Sequence, residues 1–310
     1  MTTTTMPLVS ASGLTKHYEG FSLKGVSLTV EPGQVLGFIG QNGAGKTTTI
    51  KALLGLIHLD GGEATVLGAP AGDLSCTDAG AAVKERIGVV LDSMSLPGHL
   101  RMGEVGRLMS AAYGTWDQAF YQQLLKQLGL AQLGRKKTLK ELSRGMGMKL
   151  SLACALAHHP RLLILDEATA GLDPMARDQV LDILRAFVSE EDEAGEPRNG
   201  ILMSSHITSD LEKIADTLLC IDAGAPVFYI EKDQVTDVVG VARCRASEVE
   251  RLREELASPE APLRVLRHAN GTDVLVENRF DFAAAYPGIA CDRMDIDTYM
   301  ALMLKGERLA

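Results

Sequence analysis

The chain has 310 residues, 46% hydrophobic and 23% charged, which excludes overall disorder and supplies apolar material for one full domain plus a smaller one. Its net charge of −9 argues against nonspecific binding to nucleic acid, whose phosphates are held by clustered Lys and Arg, so no nucleic-acid partner is expected. Cys76, Cys154, Cys220, Cys244 and Cys291 lack paired spacing and are odd in number, the usage of a reduced cytosolic protein.

Met1 to Met6 is a Thr run with neither the basic nor the apolar region of a signal peptide, and reads as a flexible end. No apolar stretch approaches the roughly 18–20 residues that cross a bilayer, so any membrane span must come from another chain. Leu8 to Val30 reads as strand with a turn at Glu19-Gly20, and Val35 to Ile39 as a short buried strand. Thr48 to Leu56 is expected to be a helix with Ile50, Leu53 and Leu54 on its apolar face. Glu63 to Gly68 predicts a strand, Gly72 to Ala81 a loop, and Ile87 to Leu91 a second buried strand ending at Asp92-Ser93.

From Leu96 to Leu150 the pattern is helical, with Thr115 and Gln118 as a capping box ahead of Phe120, Leu124, Leu125 and Leu128. The Leu142 to Met146 segment leads into a helix expected to begin near Gly147. Leu162 to Leu165 has the continuous apolar character of a parallel strand covered on both faces. Asp173-Pro174 has the chemistry of a helix start, Ser189 to Gly200 that of an acidic loop, and Ile201 to Met203 that of a strand ending in Ser204-Ser205-His206. Beyond Gln234, a helix at Ala246–Leu256, a hairpin at Leu263–Val276 turning at Asn270-Gly271, and a helix at Asp297–Leu304 predict an α+β unit.

Gly40-Gln41-Asn42-Gly43-Ala44-Gly45-Lys46-Thr47-Thr48 fits G-x-x-x-x-G-K-[ST] between a strand and a helix, the context in which backbone N–H groups cradle a polyphosphate. The ligand is ATP or GTP. Lys46 can reach the β- and γ-phosphates and the Thr47 hydroxyl can ligate Mg2+. Asp166, ending an apolar strand, is the expected outer carboxylate for Mg2+, and Glu167 is placed to accept a proton from the attacking water or to orient it. As neighbours on a strand the two carboxylates are expected on opposite faces. His206 alone reads equally as a strand-end surface histidine or a catalytic one. His158-His159 lacks metal-ligand spacing, and Met102, Met109, Met146, Met148 and Met175 read as packing or helix-interface residues.

Tyr18, the phosphate loop, Leu142-Ser143-Arg144-Gly145-Met146, Leu162 to Glu167, Gly171-Leu172-Asp173 and His206 occur in the order seen in ATP-binding cassette (ABC) nucleotide-binding domains. Over residues 8–232 the chain resembles that family, and in wording the ATPase subunits of ABC-2 type exporters. The resemblance implies an α/β fold: a mainly parallel sheet core, an antiparallel β subdomain and an inserted helical subdomain at about 94–150. On that plan residues 1–6 are a tail, 7–233 the ATP-binding domain and 234–310 an accessory domain.

It further implies an Mg2+-dependent ATPase at the cytoplasmic face of the membrane, paired with a second ATPase subunit and a separately encoded permease. Tyr18 would stack on adenine. Ser143, Arg144, Gly145 and Met146 would form the signature that meets ATP on the opposite subunit, Asp173 would link the two sites, and His206 would contact the γ-phosphate. Asp92 stands where the family commonly has Gln and can still serve as a metal ligand, whereas Arg144 and Met146 replace the commoner Gly and Gln. A soluble ABC ATPase clamping ribosome or DNA is the alternative; such proteins carry two cassettes, a long coiled coil or zinc modules, none of which the sequence displays. A subunit that binds ATP without turnover is a third reading.

Overall fold

The computed structural model describes residues 6–93, 96–134, 136–257 and 262–309; all of the expected N-terminal tail except Met6 lies outside them. β1 (Val9–Tyr18) and β2 (Phe21–Val30) form an antiparallel hairpin in which Tyr18 pairs with Phe21 and Val9 with Val30. β3 (Val35–Ile39) is wholly buried and runs through the loop into α1 (Lys46–Leu53). β4 (Gly61–Val66) and the short β5 (Ala69–Pro70) complete an antiparallel sheet of order β2-β1-β4-β5.

The loop expected at 72–81 is instead a 3-10 turn, Ala71–Ser75, followed by α2 (Asp78–Lys84). Thr77 caps that helix by accepting from the Gly80 N–H, and Asp78 and Lys84 suit the two ends of its dipole. Among its residues only Gly80 is buried, so no apolar periodicity announces the helix.

β6 (Ile87–Val90) precedes three helices, α3 (Met102–Ala112), α4 (Gln118–Gln127) and α5 (Arg144–Leu156). Two helix starts differ from expectation. Asp117, not Thr115, caps α4 by accepting from the Phe120 N–H, while the Thr115 hydroxyl donates to the His158 carbonyl. α5 begins at Arg144 rather than near Gly147, because Ser143 is its cap and accepts from the Met146 N–H at 3.2 Å. Met102 and Met148 are buried and Met109 and Met146 pack against the core, but Met175 is 84% exposed, outside the apolar clusters of the described residues. His158 is buried between the Cys154 and Ile87 carbonyls and stacks on Tyr113; burial holds its pKa below the usual histidine range.

β7 (Leu162–Asp166), α6 (Pro174–Val188), β8 (Gly200–Ser205), α7 (Thr208–Ile214), β9 (Thr217–Asp222) and β10 (Ala225–Glu231) follow. The central sheet has the order β10-β9-β3-β8-β7-β6, parallel except for the β10 edge. Alternation places Leu36 and Phe38 in one apolar cluster, with α1 and the β1–β2 hairpin, and Val35 and Ile39 in another, with α5 and α6. Burial on both faces is what makes these strands read as unbroken apolar runs.

β11 (Gly240–Cys244), α8 (Ala246–Leu256), β12 (Leu263–His268), β13 (Gly271–Val276), α9 (Arg279–Ala285) and β14 (Ala290–Arg293) follow a βαββαβ path. The sheet order β14-β11-β13-β12 is that of the ferredoxin-like split βαβ, extended by β15 (Glu307–Leu309). α8 and α9 cover one face through a small core of Ala242, Val249, Leu252, Val265 and Phe282. α10 (Ile296–Lys305) covers the other and joins it to the main core through Ile296, Tyr299 and Leu302. Tyr299 meets Phe228 edge-on at 5.0 Å, and the Ile296 N–H donates to Glu212 at 2.9 Å. Leu302, with no exposed surface, sits at this junction. Leu302→Ala is expected to destabilise the chain by about 2–5 kcal/mol through lost burial and a residual cavity. A shift of the urea midpoint to lower concentration is the expected result; an unchanged midpoint contradicts the anchoring role of α10.

Candidate functional site

Strand register assembles the site. Ile39 pairs with Ser205 across β3 and β8, and Ser204 pairs with Asp166 across β8 and β7, so three strand ends stand side by side. Gly40, the residue after Ile39, tolerates no side chain, because a Cβ there would lie 2.6 Å from the Ile221 carbonyl. Gly45 caps α1 at φ 115°, a conformation reserved for glycine. The loop therefore folds tightly enough to aim backbone N–H groups and the positive end of α1 at one point.

Lys46 is 6% exposed, and its ammonium donates to the Gly40 carbonyl at 2.6 Å. The Thr47 hydroxyl donates to one Asp166 oxygen at 2.7 Å, and the Ser204 hydroxyl to the other at 2.5 Å. Ser204 thus orients the carboxylate, a role the sequence does not disclose because a serine ending a strand has many uses. Glu167 is not on the opposite face from Asp166 as strand alternation predicts. The strand ends at Asp166, and Glu167 turns to φ 56°, which brings both carboxylates to the loop's side. Such a conformation in a non-glycine residue costs on the order of 1–3 kcal/mol and is concentrated at functional sites. The His206 Nδ1 lies 2.5 Å from Glu167 Oε2, while Oε1 is buried without a hydrogen bond, 3.5 Å from the Lys46 ammonium.

The loop and these carboxylates line a groove of about 530 Å³ whose wall includes Gln41, Asn42, Gly43, Lys46, Thr47 and Thr48. Gly20 and Phe21, which the sequence does not assign to the site, border it, whereas Tyr18 stands outside at 45% exposure with the Lys16 ammonium 5.6 Å from its ring centroid. Ala44 is buried behind the loop. Asp92, Asp166 and Glu167 face the same groove. A polyanion beside three carboxylates calls for a divalent cation, and the hydroxyl and carboxylate oxygens of Thr47 and Asp166 are the hard donors that suit Mg2+.

Ser143 and Arg144 line a different groove, which among the described residues shares Asp92 with the first. Arg144 forms an ion pair with Asp92. Gly145 and Met146 lie in the first turn of α5, and Asp173 caps α6 by accepting from the Ala176 N–H at 3.0 Å.

A family model described as ABC transporter matches residues 23–170. The Nod factor export ATP-binding protein I of Burkholderia lata is 34% identical over 227 residues, 71% of this chain and 71% of that protein. The chain belongs to the ABC transporter ATP-binding proteins. The daunorubicin/doxorubicin resistance ATP-binding protein DrrA of Streptomyces peucetius is 32% identical over 279 residues, 88% of this chain and 81% of DrrA. An uncharacterized ABC transporter ATP-binding protein of Nostoc is 34% identical, but the match spans 66% of its length. Among solved structures, one titled as the ATP binding subunit of an ABC transporter superposes with a TM-score of 0.63 at 27% identity, covering 74% of this chain and 91% of that one. The fold is that of the ABC ATPases, and no helix among the described residues is long and apolar enough to cross a membrane.

For an ABC ATP-binding protein the nucleotide is ATP. Lys46→Ala removes a buried ammonium positioned at the loop, and charge-assisted hydrogen bonds of about 1.5–3 kcal/mol imply ATP binding weaker by about 10- to 100-fold. Titration calorimetry measures it; unaltered affinity contradicts the role of the loop.

Proposed function

We propose that the chain is the Mg2+-dependent ATPase subunit of an export-type ABC transporter, acting with a second ATPase subunit on a separately encoded membrane permease. The export reading draws on the relatives named for Nod factor export and for drug resistance. On this reading the chain sits at the cytoplasmic face of the membrane through that permease, and residues 234–310 form an accessory domain beside the ATP-binding domain of 7–233.

One observation carries the catalytic assignment. Glu167 is held by His206 on one oxygen and keeps the other buried and without a hydrogen bond beside Lys46. A water oxygen attacks the γ-phosphorus, the bond from that phosphorus to the β–γ bridging oxygen breaks, and ADP leaves. Glu167 Oε1 takes the water proton as attack proceeds. His206 orients the carboxylate and contacts the γ-phosphate, and Lys46 with the Gly40–Thr48 N–H groups carries the phosphate charge. Thr47 and Asp166 would hold Mg2+, which neutralises charge on the phosphate oxygens, and Asp92 has the chemistry to join them. Tyr18 stacks on the adenine.

Ser143 lies outside the groove of its own loop, which supports a composite site completed from the second subunit. There Ser143, the Gly145 N–H and the positive end of α5 meet the partner-bound γ-phosphate, with Arg144 and Met146 in the same turn, and Asp173 links the two sites.

Glu167→Gln preserves the hydrogen-bonding shape but cannot accept the proton. ATP affinity is expected to remain within about threefold while turnover falls by roughly 100-fold or more, in the range of lost general-base catalysis. Steady-state phosphate release measures it, and unchanged turnover refutes the assignment.

A further inference from the structure

Two of the three departures from the family wording, Asp92 and Arg144, belong to one contact. Asp92 lies two residues beyond the end of β6 and Arg144 opens α5, and their side chains form an ion pair within the subunit. The arginine stem lies over Gly171, where a Cβ would stand 3.5 Å from Arg144 Cδ. Gly145 packs beside it, since a Cβ there would lie 3.1 Å from both the Gly171 carbonyl and Leu172. Arg144 therefore touches three segments: the start of α5, the loop that ends at Asp173, and the Asp92 loop. Asp92 in turn borders two grooves, the one that contains Ser143 and Arg144 and the one formed by the phosphate loop, Asp166 and Glu167.

We propose that Arg144 exchanges partners as two subunits close, leaving Asp92 of its own subunit for the γ-phosphate of ATP bound to the other, and so freeing Asp92 toward its own nucleotide site. The exchange rests on the two-subunit reading above. The side chains of Arg144 and Asp92 are 59% and 58% exposed, and an ion pair that open to water is weak. A phosphate offers more charge and several oxygens to the guanidinium fork, at the helix end that already attracts anions. Once Arg144 leaves, the Asp92 carboxylate stands without its counter-charge at the edge of the groove that Thr47 and Asp166 line. Each subunit then alters its own ATP site when the other is loaded, and the effect is reciprocal because it is a coupling between two bindings.

The test uses the full chain carrying Glu167→Gln, with ATP and EDTA, and reads dimer formation by sedimentation velocity, so neither turnover nor bound metal enters. Arg144→Gln is expected to weaken ATP-dependent dimerisation by about two- to fivefold per site, the scale of an exposed charge contact. Asp92→Asn is expected to strengthen it by a similar factor, because the competitor for Arg144 is gone. In the Arg144→Gln background, Asp92→Asn is expected to lose that gain. An Arg144→Gln chain that dimerises as before, or an Asp92→Asn gain of equal size in both backgrounds, overturns the exchange and leaves the two-subunit reading intact. Absence of an ATP-dependent dimer in the Glu167→Gln chain itself overturns both. Both positions are exposed, and matching thermal melting curves without ATP establish that the variants fold.

Discussion

The parallel ladder that joins β3 to β8 and β8 to β7 is the constraint on which the rest of the site depends. It holds Ile39 opposite Ser205 and Asp166 opposite Ser204, so a shift of one residue would turn each alternating side chain to the other face of the sheet. Two apolar clusters, one on each face, resist such a shift, and the polar strand ends stay together as a consequence. Hydrogen bonds then refine what the ladder places: Ser204 and Thr47 hold the two oxygens of Asp166, and His206 holds one of Glu167. Burial of the sheet and precision of the site are two results of the same packing.

The helical segment and the C-terminal sheet attach to this framework in different ways. α3, α4 and α5 share the main core with β6, β7 and β8, so the signature residues at the start of α5 are carried on a helix packed into that core. The five-stranded C-terminal sheet has its own small core under α8 and α9, and meets the ATP-binding domain through α10. Contact between Tyr299 and Phe228 and the bond from Ile296 to Glu212 make α10 one structural route between the two, alongside Val241 of β11 and Met294 in the same core.

Much of the site was legible without coordinates, for a physical reason. A loop that must bring backbone amides onto a phosphate needs glycines at set spacings and a lysine after them, and a buried parallel strand that ends at the ligand must switch abruptly from apolar to acidic. Gly40 to Thr48 and Leu162 to Glu167 therefore announce themselves. α2 was not legible, because Asp78 to Lys84 buries only a glycine and shows no apolar period. The sequence reads Thr115 as the cap of α4; Asp117 takes that place while Thr115 is drawn to His158, whose position depends on α5 meeting β6.

Residues that act through their neighbours in the sequence were determined by the sequence: the phosphate loop, the apolar strands, the Asp173 cap and the order of motifs that carries the family resemblance. Tertiary structure alone decided which groups share a surface. Strand alternation puts Glu167 opposite Asp166, and only the turn at φ 56°, imposed where β7 ends against β8, brings both to the loop. Asp92 and Arg144 look like two unrelated departures when read in order, since 52 positions separate them, and their meeting requires α5 to pack beside the end of β6. Local preference is written in the spacing of residues along the chain, whereas a contact between distant charges is written only in the packing that brings them together.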